Sequence, residues 1–313
     1  MGLGTVVSSL LSVLVNVGNG WNRSVTVHLL RDDQLEKARK GCDTCVGGSC
    51  MTTIKLATVL KGAIGFKEGN VNETFRGQVL LDDGAVKQAV IKDLDLIQLC
   101  NELLAHSLAR RVGLPIPDCF LGLVRQDVLA TKVAPSLPDG ARLVFVSVDV
   151  KVPNVTYRWT GSDVAGRKAL LDQIIKWGDL GHLYAYDAWI ANIDRHPGNL
   201  LLGGKDEVWL IDHGHSFTGP NWQPPQLDPD QEYANRLSDW LTGHLSKDQK
   251  SSRAQEAKNL SDGLGNVDFA EVSTASLISK LLPATHLSAL EAFLEKRILR
   301  VPAQACKALG VLT

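Results

Sequence analysis

Two short apolar runs, Leu200–Leu202 and Val208–Ile211, flank the turn-like sequence GGKDE inside DAWIANIDRHPGNLLLGGKDEVWLIDHGHSF, residues 187–217. Leucine-rich or β-branched runs around a glycine-containing turn predict a β-hairpin. A hairpin returns its two ends to one place, so the loop before its first strand lies beside the residue after its second. That geometry brings Asp194, Asn199 and Asp212 to one end of one rigid element. A single Asp beside a turn is an ordinary cap or turn former. Three oxygen-bearing groups within nineteen residues of one hairpin form a candidate metal-binding or proton-handling site.

In-line phosphoryl transfer needs a carboxylate at the attacking hydroxyl and hard oxygen ligands for Mg²⁺ on the ATP phosphates. In protein kinases an Asp, and an Asn five residues later, lie in the catalytic loop, and the Asp of D-F-G follows a short hairpin. Here Asp194 and Asn199 are five positions apart, and Asp212-His213-Gly214 stands as D-H-G. The order DRHPGN, in place of HRDxxxxN, resembles the HipA-like kinases and their relatives the phosphatidylinositol 3-/4-kinases. DAWIANIDRHPGNLLL and VWLIDHG look like the short HipA-like proteins. The resemblance is strong over residues 184–217, weaker from about Thr74 to Pro117, and absent from the first fifty residues and the last ninety or so. It implies ATP and Mg²⁺ as cofactors, Asp194 at the acceptor hydroxyl, and Asn199 and Asp212 on the metal. His196 either fixes the loop through a hydrogen bond or assists proton transfer. Arg195 either steers phosphate or pairs with a loop carboxylate. A competing reading is a metal hydrolase built on Asp194, His196, Asp212, His213 and His215. It lacks HExxH or a related helical spacing, and His213 and His215 would point the same way only if the strand ran on through Gly214.

A kinase needs a strand Lys for the α/β-phosphates and a helix Glu to hold it. AVKQAVIKD, residues 85–93, alternates, then runs apolar into Lys92, and resembles the V-A-I-K strand. Glu102 follows ten residues later in LIQLCNELLAHSLARRVG. Leu96, Leu99, Leu103, Leu104, Leu108 and Val112 recur there at a helical period, and Gly113 and Pro115 stop the helix. Glu102 lies near the edge of the apolar face, within reach of a strand Lys; an exposed Lys and an exposed Glu are the commoner fate of such residues. NELLAHSLARRVGLPIPD also resembles the HipA-like Glu helix ending in a G-L-P-x-P turn. No G-x-G-x-x-G occurs. TFRG, Thr74–Gly77, before a strand at Gln78–Leu81, is either an ordinary strand-entry turn or a phosphate cradle of Gly77 backbone amides, the Thr74 hydroxyl and Arg76. RLVFVSVDV, residues 142–150, predicts a buried strand and the place of an adenine-pairing hinge.

The chain has 313 residues and 44% hydrophobic content, enough for one two-lobed domain or two small ones. Its net charge of −1 gives no general pull towards nucleic acid or an anionic membrane. No apolar run reaches the eighteen residues of a membrane span. GTVVSSLLSVLVNVG, residues 4–18, lacks the basic leader of a signal peptide, which favours a cytoplasmic location and reduced thiols. Cys42, Cys45 and Cys50 are three thiols where a structural zinc site normally takes four ligands; Cys100, Cys119 and Cys306 sit in apolar contexts. Residues 217–232, FTGPNWQPPQLDPDQE, predict a loop, and the chain beyond Tyr233 predicts helices, interrupted at Pro283.

The expected architecture is α+β: a two-lobed protein-kinase-like fold with a small antiparallel-sheet N-lobe and a mainly helical C-lobe. Residues 1–50 are expected to be an upstream extension, 51–153 the N-lobe and 154–313 the C-lobe. The expected activity is phosphoryl transfer from ATP to a hydroxyl, with a protein serine or threonine as the acceptor that the resemblance implies. A lipid or small-molecule alcohol is the enzymatic alternative, and a nucleotide-binding pseudokinase with a regulatory role the non-enzymatic one. A protein substrate and an antitoxin-type regulator are the partners in view.

Overall fold

The computed structural model describes residues 10–17, 21–28, 53–66, 72–204 and 207–311. Cys42, Cys45 and Cys50 lie outside them. Strands β1 (Leu10–Val17) and β2 (Trp21–His28) form an antiparallel hairpin.

Alternating sequence builds the main sheet. Its strands are β3 (Lys55–Val59), β4 (Ile64–Gly65), β5 (Thr74–Leu81), β6 (Val86–Lys92), β7 (Cys119–Val124) and β8 (Arg142–Val148). They lie in the order β3-β7-β8-β6-β5-β4, and β3 also pairs with β5. Five strands therefore close into a barrel-like ring. The expectation of a small antiparallel sheet is corrected here: β3 and β7 run parallel, and the other pairs are antiparallel. Closure removes the edges that an open sheet would leave unpaired. It also crowds the interior. A Cβ on Gly77 would lie 2.9 Å from the Ala63 Cβ and 3.1 Å from the Ile91 Cδ1, so packing requires glycine at that position.

The period-2 pattern divides the strands between two cores. Val79, Ala89, Ile91, Val144 and Val146 fill the ring. On β7 and β8 the alternate residues Cys119, Leu121, Leu143 and Phe145 face outwards and join a larger core with the helices. Helix α1 (Leu96–Arg111) packs there. Asp95 caps it by accepting from the Gln98 N–H at 3.0 Å, a cap the periodicity alone did not mark. Every residue from Gln98 to Ala109 is buried, as befits a helix enclosed on all sides.

His106 on α1 donates from Nε2 to the Pro117 carbonyl at 3.0 Å, and its Nδ1 has no partner. Burial, helped by the Arg110 guanidinium, lowers its pKa from 6.5 to about 4. The unfolded chain therefore takes up this proton first as the pH falls. Stability should drop between about pH 6.5 and pH 4, by up to about 3 kcal/mol from this group, and level below. Urea unfolding of wild type and His106→Gln at pH 7 and pH 4 checks this. A smaller pH-dependent loss is expected in the variant, and equal losses would contradict it.

The rest of the described chain is mainly helical: α2 (Val155–Thr160), α3 (Val164–Lys176), α4 (Leu180–Trp189), α5 (Arg236–Leu241), α6 (Lys247–Leu264), α7 (Phe269–Ala275), α8 (Ile278–Leu281), α9 (Ala284–Arg297) and α10 (Val301–Leu309). Helix α4 is central, with Leu180, Leu183, Tyr184, Ala185 and Tyr186 fully buried. Pro283 stands at the cap of α9, where the sequence predicts a break. Residues 217–232 are irregular apart from a short turn at Pro224–Gln226. Among the described residues no helix is long and apolar enough to cross a membrane.

Candidate active site

The predicted hairpin forms from β9 (Leu200–Leu202) and β10 (Val208–Leu210), with Leu200 opposite Leu210 and Leu202 opposite Val208. Ile211, expected within the second strand, lies just beyond it, yet its N–H still donates to the Asn199 carbonyl at 3.2 Å. Asn199 thus enters the hairpin and Asp212 leaves it, side by side. Asp212 has φ 61°, in the left-handed region. A non-glycine residue there costs about 1–3 kcal/mol, and Asp is among the residues that tolerate it best. Of six such non-glycine residues among those described, Ala191, Asp212, Phe217 and Thr218 border this one loop system. Backbone strain is concentrated at the site.

Asp212 turns its carboxylate to β6. Lys92 Nζ lies 2.9 Å from Asp212 Oδ1 and 2.6 Å from Glu102 Oε1. The ten-residue strand-to-helix pair predicted from sequence therefore forms. Exposure separates the roles of its members: the Glu102 side chain is 2% exposed, Lys92 14% and Asp212 49%. Glu102 is the internal anchor, and Asp212 is the member a ligand can reach. Burial disfavours the Lys92 ammonium, but the Asp212 and Glu102 carboxylates outweigh it and hold its pKa well above the ordinary lysine value. Burial likewise opposes the Glu102 carboxylate, yet Lys92 and His213 hold it well below the usual range. Lys92 Nζ also lies 5.8 Å from the Phe145 ring centre, within reach of a cation–π contact. The second Glu102 oxygen accepts the His213 backbone N–H at 2.9 Å, so one carboxylate fastens both Lys92 and the D-H-G segment.

Arg195 does not face solvent. It is fully buried and pairs with Asp187 on α4, at 3.0 Å from Nε to Oδ2. The expected partner was a loop carboxylate; the structure corrects this to a helix carboxylate. Its NH1 donates to the Asn199 and Ile211 carbonyls at 3.0 and 3.1 Å, and its NH2 lies 2.8 Å from His213 Nε2. One guanidinium therefore locks helix, loop and both hairpin ends. Burial, and next Arg195 itself, lowers the His213 pKa, so its ring is neutral and accepts this bond. Breaking a buried pair by removing one partner costs about 3–5 kcal/mol. Arg195→Met is expected to lose that much unfolding free energy in urea, and a loss below about 1 kcal/mol would contradict the locking role.

Asp194 sits at the mouth of the same loop. Its backbone N–H is held by Asn192 Oδ1 at 3.1 Å, and its carbonyl accepts from Asn199 Nδ2 at 2.8 Å. The Asn199 amide is thereby oriented, and its Oδ1 has no hydrogen-bond partner among the described residues. An oriented, unpartnered amide oxygen at the hairpin entry and a half-exposed carboxylate at its exit are oxygen donors of the kind Mg²⁺ takes, which uses few protein ligands and completes its shell with phosphates and water. His196 accepts the Gly198 N–H on Nδ1 at 3.0 Å, a loop-fixing bond of the first of the two kinds expected of it. A Cβ on Gly198 would fall 2.6 Å from His196 Cε1, so the tight turn needs glycine. His196 Nε2 points to Asp194 Oδ2 at 3.9 Å. Burial lowers the His196 pKa, with Asp194 acting against it.

The other sequence candidates are placed differently. Thr74–Gly77 is not a turn but the start of β5, with Thr74 opposite Lys92 and Gly77 opposite Ala89. Arg76 pairs with Asp149 at 2.9 Å, and Gly77 faces the ring interior. His213 is buried against Arg195 and Glu102, while His215 lies near Asp95. The two histidines diverge, as the loss of strand at Gly214 predicts, and the hydrolase ligand set is not gathered. Three residues escaped the sequence reading. Asn101, beside Glu102, donates to the Gly214, Ser216 and Gly219 carbonyls and accepts from Trp222 Nε1. Asp187 holds Arg195, and Arg236 NH1 donates to Asp194 Oδ1. A buried-face position for Asn101 was legible from the helical period; the long-range partners of Asp187 and Arg236 carry no local signal.

A family model described as HipA-like kinase matches residues 82–261, which include Lys92, Glu102, Asp194, Asn199 and Asp212. No curated protein matches the chain.

Proposed function

This chain belongs to the HipA-like kinase family, and from that premise we propose that it transfers the γ-phosphoryl group of ATP, with Mg²⁺, to a protein serine or threonine hydroxyl. The observation that carries the reading is the Lys92 ammonium, shared between Glu102 at 2.6 Å and Asp212 at 2.9 Å. It joins a strand, a helix and the D-H-G segment in the way phosphate and metal binding require. In this reading residues 51–153, which include the strand ring, are the nucleotide lobe, and residues 154–313, which include most of the described helices, are the acceptor lobe.

Lys92 would release Asp212 and neutralise phosphate oxygens while Glu102 keeps it aimed. Asn199 Oδ1 and Asp212 would hold the metal. Bound Mg²⁺ supplies charge neutralisation on the phosphates. Asp194 would orient the acceptor hydroxyl and take its proton as the oxygen attacks phosphorus, with ADP leaving in line. His196, neutral and fixed through Nδ1, would keep the Asp194 loop in shape.

Binding and transfer measured separately test this. Lys92→Met is expected to weaken ATP binding and transfer together. Glu102→Gln is expected to lose transfer with a smaller binding defect, because Lys92 remains but is no longer aimed. ATP affinity unchanged in Lys92→Met would rule out its phosphate role.

A further inference from the structure

Arg236 opens α5 directly after the long irregular segment that follows the D-H-G turn. Its NH1 donates to Asp194 Oδ1, whereas His196 Nε2 lies 3.9 Å from the other oxygen, Oδ2. The Arg236 side chain is 56% exposed and Asp194 25%, so the pair is open to solvent. An exposed ion pair between free side chains contributes little, because two flexible groups must be held in one geometry. Here the backbone beneath the arginine is held.

Asn235 caps α5, accepting from the Leu237 and Ser238 N–H groups at 3.0 and 3.2 Å. Leu237 and Leu241 are fully buried. Ser238 Oγ and Thr242 Oγ1 both donate to the Ala308 carbonyl of α10, at 2.5 and 3.0 Å. On the other side of Arg236, the chain before it is clasped to the same end of the molecule. Arg300 pairs with Asp230 at 2.6 Å, and Lys307 pairs with Glu232. Arg297, fully buried, donates to the Pro229 and Gln231 carbonyls at 3.3 and 3.1 Å. Its Nε also donates to the Ala188 and Trp189 carbonyls at 3.0 and 3.1 Å, at the end of the helix that leads into the Asp194 loop. One arginine therefore ties the chain that presents Arg236 to the chain that presents Asp194.

We propose that Arg236 is a positioning residue for Asp194, holding Oδ1 so that Oδ2 is left to the acceptor hydroxyl. The last two helices, residues 284–309, set its place. Those helices lie beyond the residues 82–261 that match the family model. The inference rests on the kinase reading of Asp194 and adds to it the structure that aims the carboxylate.

MgATP turnover by the full chain, with water as the acceptor, tests it in a double-mutant cycle. Arg236→Ala is expected to lower kcat about tenfold, the scale of a coupled contact, with KM for ATP unchanged. Arg236→Lys should regain part of the loss. In an Asp194→Asn background, either Arg236 substitution should produce no further loss, because the group it aims has already been removed. Equal fold-losses in both backgrounds, or a rise in KM with kcat unchanged, would overturn the positioning role and leave the kinase reading standing. No phosphoryl transfer by wild type, either to water or to protein in a host-cell lysate, would remove that reading and the inference together. If Arg236→Ala fails to fold, Arg236→Lys carries the same comparison.

Discussion

Asp212→Ala is expected to abolish Mg²⁺-dependent turnover of ATP while the protein remains folded. The carboxylate is half exposed, and its contact is with Lys92, which keeps Glu102 at 2.6 Å when Asp212 is gone. The structural cost is therefore confined to alanine at φ 61°, of the order of 1 kcal/mol. The chemical cost is larger. Asp212 is the carboxylate at the hairpin exit, and Asn199 is a neutral amide that cannot replace its charge at a cation. Circular dichroism and the urea midpoint check the fold, and coupled-assay turnover checks the chemistry. Turnover at the wild-type rate in Asn199→Ala/Asp212→Ala would rule out the assignment of both residues to the metal.

Asp194→Asn is the second large effect, of a different kind. Asp194 contacts Arg236 and faces His196, and neither residue belongs to the Lys92 cluster. ATP affinity should therefore stay within a few-fold, whereas transfer should fall roughly 10²–10⁴-fold, the usual cost of removing a general base. The amide retains the shape and an oxygen for Arg236 but cannot take a proton. Titration with ATP alongside single-turnover transfer separates the two quantities. An equal loss in ATP affinity would make Asp194 a metal ligand.

What the sequence made legible follows from the range of its signals. The β9–β10 hairpin, α1 and its stop at Gly113, and the break at Pro283 are local patterns of period, glycine and proline, and all three appear in the structure. The Lys92–Glu102 pair was legible because a strand and the helix after it leave few ways to pack. Ring closure was not legible. It depends on β3 meeting both β5 and β7, and pairings at such separation leave no trace in a local alternation. The same limit explains the misplaced start of β5: Thr74–Gly77 contains a glycine, which suggested a turn, but that glycine answers a packing demand from Ala63 and Ile91. Arg195 shows the limit at the site itself. In sequence it lies beside Asp194 and invites a role towards phosphate. In space its four contacts, with Asp187, Asn199, Ile211 and His213, are internal, and its place is beneath the loop.

The central claim is that Asp194 and the Lys92–Asp212 cluster act together to move a phosphoryl group to a protein hydroxyl. The most direct measurement incubates purified wild type and Asp194→Asn separately with γ-labelled MgATP and a host-cell lysate, then maps the labelled residues. Label is expected on serine or threonine residues with wild type, with a loss of about 10²-fold or more with the variant, at matched ATP occupancy. Equal labelling by the two proteins, or no labelling by wild type above a lysate-only control, would contradict it.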